Sequence, residues 1–365
     1  MTASRRVAVI GTGLIGGSIG LCLRKSGYAR VAGYDSAPEA SRKAADAGAI
    51  DEAAGSLGEA CAGADIVVVA TPVGQIAETV RQLSSVVEPG VVVTDVGSAK
   101  GPVVQEAESV LGPGRPFVGG HPMAGTEGQG VQAARADLFE GALWILTPTD
   151  GTSPQAFGTI AALVTQLGAS TLALDPAEHD RLVALVSHLP YLIATTLMEI
   201  AGREDDERVF AAAAGSFRDV TRTAGSSPGV WRDILRANRH ALLAQLTTFR
   251  SGLATFGQAL ESEDWQGVDR CIQAARDARA RLPAKAGRGP EVPVRIEVTV
   301  PDRAGILAEI TTGVGELGVN IEDLWMDHTA AGGVVHIVVD GPEAASRACV
   351  RLSGLGYRCR ACDEA

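Results

Sequence analysis

His121 is the residue whose setting most suggests chemistry. It stands in Gly119-Gly120-His121-Pro122-Met123-Ala124-Gly125-Thr126-Glu127, between a glycine pair and a proline, which is unlike the apolar face of a helix. An imidazole titrates near neutrality. Beside a hydride acceptor it can take the proton of a hydroxyl whose carbon is being oxidised. A structural histidine, satisfied by its neighbours, is the alternative reading of the same residue.

The hydride acceptor is signalled nearer the N-terminus. An apolar run ends in Gly11-Thr12-Gly13-Leu14-Ile15-Gly16, a G-x-G-x-x-G turn. Gly11 permits the tight turn, Gly13 lets the backbone at Leu14 and Ile15 approach a pyrophosphate, and Gly16 lets helix and strand pack closely. The N–H groups that open the helix face the phosphates with a positive dipole end. About 20 residues on, a second run ends at Tyr34-Asp35, where a carboxylate accepts hydrogen bonds from the ribose hydroxyls and repels a 2′-phosphate. NAD is therefore expected rather than NADP, and the partner motifs of an FAD site are not evident. Thr71-Pro72 follows the run Ile66–Ala70, and Ser98 follows Val91–Asp95. Open α/β sheets bind ligands outside the carboxyl ends of their strands, so Thr71, Pro72 and Ser98 should face the same crevice. An ordinary turn or helix cap is the bland reading of Thr71 and of Ser98.

The elements that must position these groups follow from the pattern. Short β-branched runs alternate with helical stretches from residue 5 to about 150, which indicates a Rossmann-type, doubly wound parallel sheet over 1–153. From Pro154 helix signals dominate, with apolar periodic stretches at Ala177–Ile200, Glu207–Ala224 and Val230–Glu261. These predict an all-helical domain over 154–283 whose apolar helices bury one another across a homodimer interface. Pro and Gly at both ends of Pro283–Pro290 mark a linker (284–292). Strand and helix patterns in the order βαββαβ then fill 293–365.

Composition narrows the class. The 365 residues are 46% hydrophobic with a net charge of -11, enough for a large core and opposed to a nucleic-acid binder, which needs a basic face. Six dispersed cysteines are not a disulfide framework, and the one Cys-x-x-Cys pair, Cys359 and Cys362, has no second pair to complete a zinc site, so no metal is expected. Leu182–Ala201 is nearly long enough to span a bilayer, but Ser187, His188, Pro190 and Glu199 within it favour a buried helix. With no unbroken apolar leader at the N-terminus, a cytoplasmic protein without membrane contact is expected.

Taken together, GTGLIGGSIG, DVGSAK, GGHPMAGTEGQG, Glu178-His179-Asp180 through Ser187-His188-Leu189-Pro190, Phe217-Arg218-Asp219-Val220-Thr221-Arg222 and Trp231-Arg232-Asp233 resemble the prephenate and arogenate dehydrogenases, in order, over residues 5–285. The tail, through Pro301-Asp302-Arg303-Ala304-Gly305-Ile306-Leu307 and Gly318-Val319-Asn320-Ile321, resembles an ACT domain, an amino-acid-sensing module; a dimerisation module without a ligand is its bland reading.

The resemblance implies oxidative decarboxylation of prephenate, or of its amino analogue arogenate, in tyrosine biosynthesis. A hydride leaves C4 for NAD, His121 takes the C4 hydroxyl proton, and loss of carbon dioxide from C1 aromatises the ring. Ser98 matches a serine that bridges hydroxyl, histidine and nicotinamide. Arg222 matches an arginine that grips a substrate carboxylate, and Thr126 falls in the same substrate group. Where some members carry a further substrate-contacting histidine this chain has Tyr191, which leaves the choice between keto acid and amino acid open. His188 is either a ligand contact or a packing histidine, and His179 and Asp180 are read as helix-terminus and interdomain polar contacts. Tyrosine is the expected feedback effector, bound near Gly305 and Asn320. Two rivals are weaker. A related hydroxyacid dehydrogenase should carry a catalytic lysine where this chain has almost none between Lys100 and Lys285, and an amino-acid-responsive regulator should carry basic helices.

Overall fold

The structure, a computed structural model, describes residues 5–112, 114–126, 128–206, 208–282, 293–329 and 332–362. The chain divides near residue 272 into two compact units. The linker expected at 284–292 lies outside the described residues.

The first unit opens with β1 (Arg5–Ile10), α1 (Leu14–Lys25), β2 (Ala29–Tyr34), α2 (Pro38–Asp46), β3 (Glu52–Ala53), α3 (Leu57–Cys61) and β4 (Ile66–Val69). It continues with α4 (Val73–Leu83), β5 (Val92–Asp95), α5 (Gly101–Leu111), β6 (Phe117–Pro122), β7 (Leu143–Thr147), α6 (Pro154–Gln166) and β8 (Ser170–Ala173). The strands form one sheet in the order β3-β2-β1-β4-β5-β6-β7-β8, parallel except where β7 runs against β6. Both faces are covered, which is why the strands read as unbroken apolar runs. Val7, Val9, Ile66 and Val68 bury into one core, and their alternates Ala8, Ile10, Val67 and Val69 into the other. The sheet order reverses between β1 and β4, and a ligand crevice belongs at that point.

The sheet runs past the boundary expected at residue 153. β8 pairs with β7, and α6 packs on the same sheet, so the helical part begins only at Pro176. Ser170–Ala173 is four exposed residues at the sheet edge, too short and too polar at its start to stand out as a strand in the sequence.

The helical part comprises α7 (Pro176–Val183), α8 (Leu189–Gly202), α9 (Arg208–Ala211), α10 (Gly215–Thr221), α11 (Pro228–Ala237), α12 (Arg239–Glu261) and α13 (Trp265–Arg279). Asp175 caps α7 by accepting from the N–H groups of Ala177 and Glu178, with Pro176 at the first helical position. A π-turn, Ala184–His188, joins α7 to α8, and Leu189 N bonds back five residues to Ala184 O. Pro190 has no N–H to continue the ordinary ladder, which widens there. The two long helices expected beyond residue 207 are each broken. Glycines at 215 and 225 bound α10 and its following 3-10 turn, Arg222–Gly225. Asn238 separates α11 from α12 with its side chain committed to Asp180 O and His188.

The second unit is β9 (Pro293–Val300), α14 (Ile306–Gly315), β10 (Ile321–Thr329), β11 (Gly332–Asp340), α15 (Gly341–Gly354) and β12 (Arg358–Cys362), the expected βαββαβ order. Its antiparallel sheet runs β10-β11-β9-β12, and one face buries Ile296, Val298, Val335 and Ile337 against Ile310, Val314, Ala348 and Leu352 of the helices.

Candidate active site

The carboxyl ends of β1, β4 and β5 open into a cleft of about 1280 Å³. Its floor is Gly11, Gly13, Leu14 and Ile15, with Asp35, Thr71, Pro72 and Ser98 around it. Each glycine serves a different physical need. At Gly11, with φ +96°, a Cβ would meet Ala70 O at 2.6 Å, so only glycine fits the turn. A Cβ on Gly16 would stand 1.9 Å from Gly11 O; this residue packs helix against strand and does not line the cleft. Nothing lies within 4 Å of a Cβ built on Gly13. Gly13 caps α1 without any side-chain hydrogen bond, leaving the first-turn N–H groups to an anion. Asp35 accepts from Thr12 N at 3.0 Å and from Ala37 N at 3.0 Å, which fixes its carboxylate at the cleft wall. Thr71 Oγ1 is buried with no hydrogen-bond partner among the described residues. An orphaned hydroxyl, an open glycine and a fixed carboxylate fit a bound dinucleotide.

His121 sits at the end of β6 and also lines the cleft, together with Thr126, Ser187, Trp231 and Asp233. Its Nδ1 lies 2.8 Å from His179 Nε2, and His179 Nδ1 lies 2.8 Å from Asp180 Oδ1. Asp180 accepts further bonds from Lys100 N at 2.7 Å and Gly101 N at 2.9 Å. Burial opposes its charge. The bond from His179 and those two backbone donors outweigh burial and hold its carboxyl below the usual range. An ionised Asp180 can only accept, so His179 carries a proton on Nδ1, and in the neutral His179 ring Nε2 is the acceptor. His121 must then donate from Nδ1, which leaves its Nε2 lone pair available. Burial first, then His179, Lys100 and His188, push the His121 pKa well below its ordinary value, so the ring is neutral near pH 7. The arrangement is that of an oriented general base.

Lys100 ties the base to the sheet. It is fully buried, ion-paired with Asp95, and donates from Nζ to Gly120 O at 2.7 Å. Sequence reasoning missed His179, Asp180 and Lys100 as parts of this network. The one signal available was an adjacent His-Asp pair in the first turns of a helix.

Other expected substrate residues lie elsewhere. Tyr191 does not line the cleft; it is buried and lies flat behind Trp231, with ring centroids 3.6 Å apart and planes parallel. His188 is 1% exposed, 3.2 Å from Asn238 Nδ2, with its ring edge-on to Trp231. It is a packing histidine in this structure rather than a cleft group. Burial, opposed by Asp180 and aided by His179, drops its pKa to about 4. Arg222 is exposed at the head of the 3-10 turn whose Gly225, followed by Ser226 and Ser227, lines the cleft, but Arg222 itself is not among the lining side chains. In the second unit Gly305 caps α14 with φ +84°, and Asn320 is exposed and bonded to Glu322.

A doubly wound sheet with a dinucleotide crevice and a neutral histidine on its rim defines an NAD-dependent dehydrogenase. Residues 19–173 match the prephenate dehydrogenase nucleotide-binding domain, 175–274 the prephenate dehydrogenase dimerization domain, and 294–324 the ACT domain. A prephenate dehydrogenase of Bacillus subtilis (strain 168) is 37% identical over 309 residues, covering 84% of this chain and 83% of that one. The crystal structure of the prephenate dehydrogenase from A. aeolicus in complex with hydroxyphenyl propionate and NAD+ superposes with a TM-score of 0.72 at 32% identity, over 76% of this chain and 98% of that one. The Synechocystis arogenate dehydrogenase gives a TM-score of 0.68 at 30% identity, over 76% and 99%. The chain belongs to the prephenate dehydrogenase family, carries that family's dimerization domain, and uses NAD.

Proposed function

We propose that this enzyme oxidatively decarboxylates prephenate to 4-hydroxyphenylpyruvate, with His121 as the base. The observation that carries the reading is the Asp180–His179–His121 chain, which leaves one imidazole lone pair free on a residue of the cleft. Bound NAD supplies the hydride acceptor. His121 Nε2 takes the C4 hydroxyl proton as that carbon is oxidised, and Ser98 holds the hydroxyl beside it. The C1 carboxylate leaves as carbon dioxide, and its bonding pair completes the aromatic ring. Trp231 forms an apolar wall that excludes water, and the Thr126 hydroxyl on the cleft lining donates to a substrate carboxylate.

A second substrate, arogenate, is favoured by one feature. Beside Trp231 the described residues lining the cleft include the carboxylate of Asp233 and no lysine or arginine. An ammonium on the substrate side chain suits such a wall better than a second anion. NADH release with prephenate and with arogenate, compared as kcat/KM, tests both; a chain inert to both would sink the whole reading.

Tyrosine is the proposed feedback ligand of the second unit, at Gly305 and Asn320, and a homodimer in the cytoplasm is the proposed working form. A chain ending near residue 290 should keep its activity and lose tyrosine inhibition. Equal inhibition of the truncated enzyme would place tyrosine in the active site instead.

A further inference from the structure

The sequence pairs Cys359 with Cys362, but the fold does not. Three residues apart on β12, their side chains alternate to opposite faces of the sheet. Cys359 turns inward, onto the core beneath the helices, and meets Cys349 of α15 with its Sγ 2.8 Å away. That separation is within about 1 Å of an S–S bond, which is about 2.0 Å. The chain returns between the two through a tight turn, in which Tyr357 N bonds Leu352 O and Gly356 takes φ +92°, so the helix end and the strand are already held in register. Both side chains are half-buried.

We propose that Cys349 and Cys359 are an oxidisable dithiol that closes into a reversible intramolecular disulfide, stapling the last strand of the second unit to its last helix. The oxidant is a low-molecular-weight disulfide of the oxidised-glutathione class. Cys359 donates its S–H toward Cys349, which leaves the Cys349 sulfur as the acceptor of the pair. The Cys349 thiolate forms a mixed disulfide and expels one small thiol. Cys359 then loses its proton, attacks the Cys349 sulfur and expels the second. Two protein thiols give up two electrons and two protons, and one small disulfide becomes two thiols. Cys362, on the other face, takes no part.

The test uses the full chain. It is incubated with oxidised glutathione, denatured, and its remaining thiols are counted with a maleimide-polyethylene glycol reagent, the bridge being located by peptide mass spectrometry. The expected result is a fall from six reactive thiols to four, a Cys349–Cys359 peptide, and full recovery of six on treatment with dithiothreitol. C349S should stop the change and C362S should not. The oxidised wild type should melt several degrees higher, because the bridge constrains the unfolded tail. Six thiols after oxidation, a bridge through Cys362, a bridge between two chains, or an unchanged response in C349S would each overturn the proposal.

Discussion

His179 Nε2 lies 2.8 Å from His121 Nδ1, although the two residues are 58 positions apart in the chain. With a neutral His179 bonded to Asp180 behind it, that contact takes the His121 Nδ1 proton and makes His121 Nε2 an acceptor toward the cleft. His121→Asn should therefore lower kcat by about 10²–10⁴ with little change in KM, the usual worth of a positioned base. His179→Leu should lower kcat less, about 10–100-fold, because the base survives but its tautomer is no longer held. The pH profile separates positioning from mere structure. Burial, then His179, Lys100 and His188, hold the His121 pKa well below its ordinary value, so kcat should be level above pH 6.5 and fall only at lower pH. Removing His179 takes away one lowering influence and should move that acid limb upward. A His179 variant with wild-type kcat and an unmoved limb would remove the relay from the mechanism.

Asp35 governs the cofactor. Its carboxylate is pinned by the N–H groups of Thr12 and Ala37 at the cleft wall, where a 2′-phosphate would be repelled. Asp35→Ala should lower the kcat/KM preference for NAD over NADP by at least about tenfold, one lost charge-assisted contact. Steady-state rates with the two cofactors measure it, and unchanged discrimination would reassign the ribose contact.

Gly13 and Gly16 belong to one motif but should fail differently. Gly16→Ala drives a Cβ to 1.9 Å from Gly11 O, with no flexible neighbour to give way, and should cost about 1–3 kcal/mol of stability in a thermal or denaturant melt. Gly13→Ala meets nothing within 4 Å and should melt like the wild type, yet raise the KM for NAD about tenfold by blocking the approach to the phosphates.

The parallel stack of Tyr191 on Trp231 holds the indole as a wall of the cleft. Tyr191→Phe keeps the ring and should leave KM near the wild-type value. Tyr191→Ala removes the backing and should raise substrate KM about tenfold while lowering stability by about 3–5 kcal/mol, as expected for a buried aromatic. Equal KM in the two variants would show that the stack serves stability alone.

His188 makes stability depend on pH. Its folded pKa, about 4, lies below the ordinary 6.5. Protonation is thus easier in the unfolded chain. The stability that its neutral form contributes is complete above pH 6.5 and is lost as pH falls toward 4. The gap corresponds to on the order of 3 kcal/mol. Denaturant midpoints measured from pH 7 to 4 should fall more steeply for the wild type than for His188→Asn. Parallel curves would mean that the histidine does not resist protonation.

Much was legible because it is local. The alternation of Val7 and Val9 against Ala8 and Ile10, the glycine turn, Asp35 at the end of β2 and the βαββαβ order of the last unit are written in residue periods and spacings. Other features were not. The edge strand β8 is four exposed residues with no pattern of its own, so the first domain seemed to end too early. Asn238 breaks an otherwise continuous helical pattern because its amide is needed by Asp180 O and His188, partners 58 and 50 residues away.

By itself the sequence determined most of the strands and helices, though not β8 or the helix breaks beyond residue 207, and that a nucleotide crevice and a histidine belong to the same half of the chain. Those properties depend on neighbours along the chain and on the repeat of each element. Only the packed structure decided that Asp180 and His179 stand behind His121, that Tyr191 backs a tryptophan rather than touching the cleft, and that Cys359 faces Cys349 instead of Cys362. Such pairings arise from the way separate helices and strands settle against one another, and side chains that meet by packing carry no mark of the meeting in their spacing.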